Sequence, residues 1–295
     1  MKNKDTESKK WSKKKKIMVI VFSIIAFLLV AIICGGIIAL NWYCKVSDYD
    51  IQSAQSIVTE DTRIIAHRGF RAVAPENTLP AFVEAGENGF WGAECDTYRT
   101  KDGIWVIQHD VNTYRMMDLT KSIEKCTYEE LLKYKTDNGN NIEKYPDLKI
   151  CTLEEYLQAC QDYNMTAVIE LKGKNNTEHY DEIIASTKKF DCDIVYISFQ
   201  EENLLKLRAL SDAPMYYLVH TVDEESIEIA KKIGNCGIDF NGNKEENYEN
   251  DGAILKKCQE EGLSLGAWTI DDIKVMDKLV NTYGVEYITT DCITY

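Results

Sequence analysis

Histidine and basic charge are scarce in this chain. Its 295 residues include four histidines, and its ten cysteines contain no Cys-x-x-Cys pair and no zinc-type spacing. A structural zinc site and a thioredoxin-like redox motif are therefore excluded. The formal net charge is −14, yet residues 1–16 carry eight lysines against Asp5 and Glu7, which leaves −20 on the remainder. A body that acidic lacks the basic surface that nucleic-acid phosphates require, so no nucleic-acid partner is expected. No internal repeat or low-complexity tract occurs beyond the lysine cluster, which sets aside a repeat array.

One long stretch has no charge at all. Ile17 to Leu40 runs for 24 residues without a charged side chain. As a helix it would extend about 36 Å, against a bilayer core of about 30 Å. A cleaved signal peptide would have a shorter apolar run and a small-x-small cleavage site, and Ile33 before Cys34 is too large for a lipoprotein signal. The sequence predicts a basic cytoplasmic tail over 1–16, a transmembrane helix over 17–40 and a linker over 41–61. Lys9, Lys10 and Lys13 to Lys16 directly precede the span, so the N-terminus should stay cytoplasmic and the body should face outward at the cell membrane. Nine cysteines then fall outside the span, an odd number, mostly in apolar or helical contexts that suit small core residues. A reducing or oxygen-poor habitat would reconcile them with an external domain.

From residue 62 to 295, strand-like runs alternate with helix-like runs, beginning at Ile64–His67 and ending at Tyr287–Thr290. This alternation implies a parallel sheet covered by helices, and at this length an α/β fold of the (β/α)8 TIM-barrel type. Nine candidate strands is one too many for such a barrel. Lys101-Asp102-Gly103 leaves room only for a turn, so Ile104–His109 should fold back antiparallel to Ala93–Tyr98. A two-residue loop would set His109 opposite Asp96, and a three-residue loop would shift that by one. Residues 111–150 fit no barrel unit and read as an insertion over the barrel mouth.

Four short islands carry the chemistry: His67-Arg68-Gly69, Pro75-Glu76-Asn77-Thr78, Glu94-Cys95-Asp96 and His109-Asp110. Barrel enzymes place active groups at the C-terminal ends of strands, where His67 falls. Two histidines can share general acid and general base work. Glu94 and Asp96 point to one face of a strand while Cys95 points away. Glu170 ends the apolar strand Ala167–Leu171, where a carboxylate needs a cation nearby. Three hard oxygen ligands suit Mg²⁺ or Ca²⁺. Arg68 and Lys172 can hold a phosphate, and Trp268 can form an apolar wall. Together these residues point to metal-assisted phosphodiester cleavage.

In order, His67-Arg68-Gly69, Pro75-Glu76-Asn77-Thr78, Glu94-x-Asp96 with Thr100-Lys101-Asp102-Gly103, His109-Asp110, Glu170-x-Lys172, Ser198-Phe199, Trp268-Thr269 and Thr290-Asp291 resemble the glycerophosphodiester phosphodiesterase family. The likeness spans residues 63–291, nearly the whole body. It implies a barrel that hydrolyses glycerophosphodiesters to an alcohol and glycerol phosphate. It also implies His67 and His109 as acid/base pair, Glu94, Asp96 and Glu170 as metal ligands, Arg68 and Lys172 as phosphate contacts, and a supporting role for Glu76. Cys95 departs from the aliphatic residue usual there. The substrate could be small or lipid-derived, and a lysophospholipase D-type activity, an envelope-polymer hydrolase and a catalytically idle barrel remain as alternatives.

Overall fold

A computed structural model describes residues 13–173 and 176–295. The chain divides into two compact units at Lys45/Val46. The first contains one helix, Lys13–Tyr43, whose 31 residues extend about 46 Å. Its apolar side chains, such as Phe22, Phe27 and Ile32, are exposed. Its most apolar window has a mean hydropathy of 3.3, so by length and composition it can cross a membrane. Residues 1–12 of the expected basic tail lie outside the described residues.

The second unit is a closed barrel. Eight parallel strands form the ring: β1 Arg63–Ala66, β2 Gly92–Arg99, β3 Thr166–Leu171, β4 Ile194–Ser198, β5 Met215–Val219, β6 Cys236–Asn241, β7 Leu265–Trp268 and β8 Tyr287–Thr290. Each pairs with the next, and β8 pairs back onto β1. Helices cover the outside. Their ends follow local chemistry: Thr152 with Glu155 and Asp223 with Ser226 form capping boxes, and Gly284 ends the last helix in the left-handed conformation. Phe82, Tyr156, Leu157, Phe240 and Leu279 fill the layer between sheet and helices. Inside the ring, Tyr287 meets Trp91 edge to face at 5.4 Å and Tyr216 at a tilt at 5.0 Å between ring centres, and the three close the N-terminal end of the barrel.

The surplus strand is a hairpin, as its turn predicts. Trp105–Ile107 runs antiparallel to β2 with Thr97 opposite Ile107. The register corresponds to the three-residue loop Lys101–Gly103, so Gln108, rather than His109, lies opposite Asp96 and donates its N–H to the Asp96 carbonyl. A second short strand, Cys151–Thr152, extends this ribbon. Between them, residues 111–150 form turns, three single-turn 3-10 helices and one short α-helix, Tyr128–Leu131, around a separate apolar cluster of Val106, Met117, Leu119, Ile123 and Leu131. Asn140 and Asn141 tie the insertion to the loop after β1 by bonding the Arg71 and Val73 carbonyls.

The stretch expected as a linker, 41–61, is more structured than its polar composition suggests. The N-terminal helix continues to Tyr43. Gln52–Ser53 then pairs in parallel with Ile293–Thr294, and Ala54 is fully buried. Pairing with a distant strand leaves no local periodicity to read. The nine cysteines other than Cys44 are free thiols.

Candidate active site

Alternation along β2 sends Glu94 and Asp96 into the barrel and Cys95 into the outer core. The β2–β3 register sets Asp96 directly opposite Glu170. The three carboxylates are buried, and each offers an oxygen within 4.8 Å of the others. Glu94 Oε1 and Asp96 Oδ1 have no hydrogen-bond partner among the described residues. Lys172 Nζ is 3.0 Å from Glu170 and 3.2 Å from Asp96 Oδ1, the latter an ion-pair contact without hydrogen-bond geometry. Burial, then the charges of Asp96 and Glu170, push the Glu94 carboxyl well up. Burial and Asp96 raise Glu170 to about 7. Asp96 goes the other way: burial would raise it, but Lys172, Arg68 and His109 hold it well below the usual range. Crowded, desolvated carboxylates with unbonded oxygens fit a hard divalent cation.

His67 follows β1, where its backbone N–H bonds the Thr290 carbonyl. Its Nδ1 lies 2.7 Å from Asp291 Oδ1. Tyr49 donates to the other Asp291 oxygen at 2.9 Å. Burial lowers the His67 pKa, with Asp291 opposing and Arg68 and Arg71 adding to the fall. Burial would raise Asp291, but His67, Arg71 and Tyr49 hold it below its ordinary value. His109, just past the hairpin strand, has Nδ1 3.0 Å from Asp110 Oδ1, and Arg115 Nε donates to Asp110 at 2.7 Å. Asp110 falls to about 2, because His109 and Arg115 outweigh its burial. In both pairs a carboxylate occupies Nδ1, which leaves Nε2 for substrate.

Arg68 adopts a left-handed φ of 58°, which turns its N–H to Glu94 Oε2 at 2.8 Å. Its guanidinium bonds Glu76 at 2.8 Å and stands 3.5 Å from Asp96. Glu76 sits behind the cavity wall, buried among three arginines, with Arg71 at 2.6 Å and Arg115 at 2.5 Å. Burial would raise its carboxyl, but these guanidiniums hold it well below the usual range. A charged chain thus runs from Asp291 at His67 through Arg71, 3.7 Å away, Glu76 and Arg115 to Asp110 at His109.

These groups face a cavity of about 320 Å³ at the C-terminal end of the barrel. His67, Arg68, Glu94, His109, Glu170, Lys172 and Trp268 all line it. The opposite wall is aromatic: Phe199, His220 and Trp268 form a triangle with ring centres 5.4 Å apart. Asp239 from β6 also lines the cavity, and burial pushes its carboxyl well up.

The residues expected from sequence therefore converge, with Asp96 and Glu76 buried behind the wall rather than in it. Sequence reasoning missed Arg71, Arg115, Tyr49, His220 and Asp239, and gave Asp291 no role of its own. Asp239 carried the signal that revealed Glu170, an acid inside an apolar strand. Tyr49 carried none, because Asp291 is 242 residues distant, and the tie of Arg115 to Glu76 spans 39.

The glycerophosphoryl diester phosphodiesterase family model matches residues 67–294. Human glycerophosphodiester phosphodiesterase 1 is 29% identical over 256 residues, covering 76% of this chain and 76% of its own. A glycerophosphodiester phosphodiesterase of Caldanaerobacter subterraneus is 27% identical, over 78% of this chain and 94% of its own. An Oleispira antarctica phosphodiesterase, solved in complex with the product sn-glycerol-3-phosphate, superposes with a TM-score of 0.70 at 28% identity, covering 81% of this chain and 96% of that one. The histidine pairs, the carboxylate cluster and this breadth of likeness lead to one assignment: the chain belongs to the glycerophosphoryl diester phosphodiesterase family and is a phosphoric diester hydrolase.

Proposed function

We propose that this enzyme hydrolyses glycerophosphodiesters to an alcohol and glycerol phosphate by metal-assisted acid–base catalysis, with His67 and His109 as the proton-transfer pair. The observation that supports this best is geometric: two imidazoles, each braced at Nδ1 by a carboxylate, line one cavity with Glu94 and Glu170 of a three-carboxylate cluster. Glu94, Asp96 and Glu170 would hold Mg²⁺ or Ca²⁺, which when bound neutralises negative charge on the phosphate. Arg68 and Lys172 contact non-bridging phosphate oxygens and stabilise charge that grows there. One histidine takes the proton of the attacking hydroxyl, the substrate's own glycerol O2. As the new P–O bond forms, the bond to the leaving alcohol breaks and the second histidine protonates that alcohol. Water then opens the cyclic phosphate with the two roles reversed. Trp268 packs against the carbon skeleton, and Glu76 fixes Arg68.

The helix Lys13–Tyr43 is read as a single-pass anchor with the lysine-rich N-terminus cytoplasmic and the barrel outside, acting on small or lipid-derived phosphodiesters. Full-length protein assayed on glycerophosphocholine and on a lysophospholipid, each with and without chelator, tests the reaction. Turnover of the lysophospholipid alone, or turnover that chelator leaves unchanged, would overturn it. Protease added to intact expressing cells should digest the barrel; protection of the barrel would reverse the topology.

A further inference from the structure

Each other acid named at the site has a partner. Glu76 has arginines, Asp291 has His67, Asp110 has Arg115, Asp96 has Asn77 and Lys172, Glu94 has the Arg68 N–H, and Glu170 has Lys172. Asp239 differs. It is 6% exposed, it lines the cavity, and its Oδ1 has no hydrogen-bond partner among the described residues. A desolvated carboxyl without a partner is costly, and such a group facing a cavity gains one when a ligand arrives. The neighbouring strand leaves room for it. A Cβ on Gly266 would lie 2.9 Å from Asp239 Oδ1, so glycine at that position accommodates the carboxyl.

Strand register gives its depth. Asp239 pairs with Gly266, and Asn241, two residues toward the mouth, pairs with Trp268. Asp239 therefore stands one layer below the aromatic triangle, on a floor that Tyr216 and Tyr287 close from beneath. A phosphodiester held at the carboxylate cluster has two arms. The leaving alcohol varies in size and needs the open mouth. The glycerol arm is small and carries neutral hydroxyls that both donate and accept.

We propose that Asp239 is the specificity residue of a glycerol subsite, bonding the terminal hydroxyl of the glycerol unit on the barrel floor while the leaving alcohol points to the mouth between Phe199, His220 and Trp268. This rests on the phosphodiesterase reading above and adds which arm of the substrate goes where.

The test is binding, which needs no turnover. Calorimetric affinities for sn-glycerol 3-phosphate, inorganic phosphate and phosphocholine are measured on full-length protein in Mg²⁺ for wild type, D239N and D239L. Wild type should prefer sn-glycerol 3-phosphate to phosphate. D239L should reduce that preference roughly tenfold, the loss expected for one or two hydrogen bonds to a buried group, and D239N should reduce it less. Thermal melting separates this from misfolding, because leucine removes an unpaired buried carboxyl and should keep or raise the Tm. An unchanged preference in both variants overturns the proposal. So does a loss confined to phosphocholine, which would mean that the carboxyl reads a cationic head group. Binding of glycerol phosphate through Asp239 in a protein without diesterase activity would overturn the catalytic reading and leave this one standing.

Discussion

Asp291 holds His67 across 224 residues of sequence by a 2.7 Å contact at Nδ1, and Tyr49 holds Asp291 in turn at 2.9 Å. Burial, Arg68 and Arg71 all depress the His67 pKa, and Asp291 is the opposing charge. Asp291→Asn keeps the shape and removes that charge. His67 should then titrate at lower pH, and its limb of the pH–rate profile should move down. The loss of kcat should be about 10–100-fold, typical of a group that orients a catalytic histidine. Tyr49→Phe should give the same kind of defect at a few-fold size, with KM little changed. A limb that moves upward in Asp291→Asn would refute this account.

Metal affinity should depend steeply on pH. Glu170 is raised to about 7 by burial and by Asp96. A cation needs the carboxylate, so binding releases a proton and weakens as pH falls below about 7. Stability of the metal-free protein has the opposite trend. Between an unfolded value near 4.5 and the folded value, the native state holds the proton and the unfolded state does not, so stability declines as pH rises through that window. Saturating Mg²⁺ binds the native state only and should reverse the decline, adding about 2.7 kcal/mol at 100-fold excess over Kd. Melting curves from pH 4.5 to 8, with cation and with chelator, read both trends. Parallel curves would exclude a site at these three carboxylates.

Glu76 joins the supports of both histidines, since Arg68, Arg71 and Arg115 all converge on it. Glu76→Gln would leave three guanidiniums without their shared counter-charge. Breaking a buried ion cluster from one side costs about 3–5 kcal/mol. The wild-type carboxyl is held well below its usual range, so its stabilisation is present above an unfolded value near 4.5 and is lost as pH falls through the folded one. Urea unfolding should therefore show a deficit in Glu76→Gln that is largest at neutral pH and shrinks in acid. A deficit of constant size would mean that shape at this position, not charge, is what matters.

The barrel was legible because its signals are local. Apolar runs such as those at Ile64–His67 and Tyr287–Thr290 need no distant partner, and β1 and β8 fall where the alternation puts them. The four short islands stood out for the same reason, since each is a contiguous run of residues. Pairings across long separations were not. Asp96 faces Glu170 only because β2 and β3 align in one register, and Gln108 rather than His109 faces Asp96 because the turn has three residues. Gln52–Ser53 looked like linker because its partner strand, Ile293–Thr294, lies at the other end of the chain. Asp291 had no role in the sequence reading, because His67, Tyr49 and Arg71 surround it only in the folded chain.

Gly69 tests whether the turn after β1 is held by space or by backbone freedom alone. Its φ is +75°, and a Cβ there would meet the Ala81 backbone at 2.7 Å. Gly89 has nearly the same φ, +73°, and nothing within 4 Å. Gly89→Ala should therefore cost only the backbone penalty, about 1 kcal/mol. Gly69→Ala adds a clash with a helix that cannot yield, roughly 1–3 kcal/mol more. The displacement should also pull the Arg68 N–H from Glu94, a contact 2.8 Å long, and so weaken metal binding, which Gly89→Ala should leave alone. Urea unfolding gives the first difference, and Mg²⁺ titration calorimetry gives the second. Equal stability losses in the two variants would mean that the loop after β1 adjusts freely, and with it the position of Arg68.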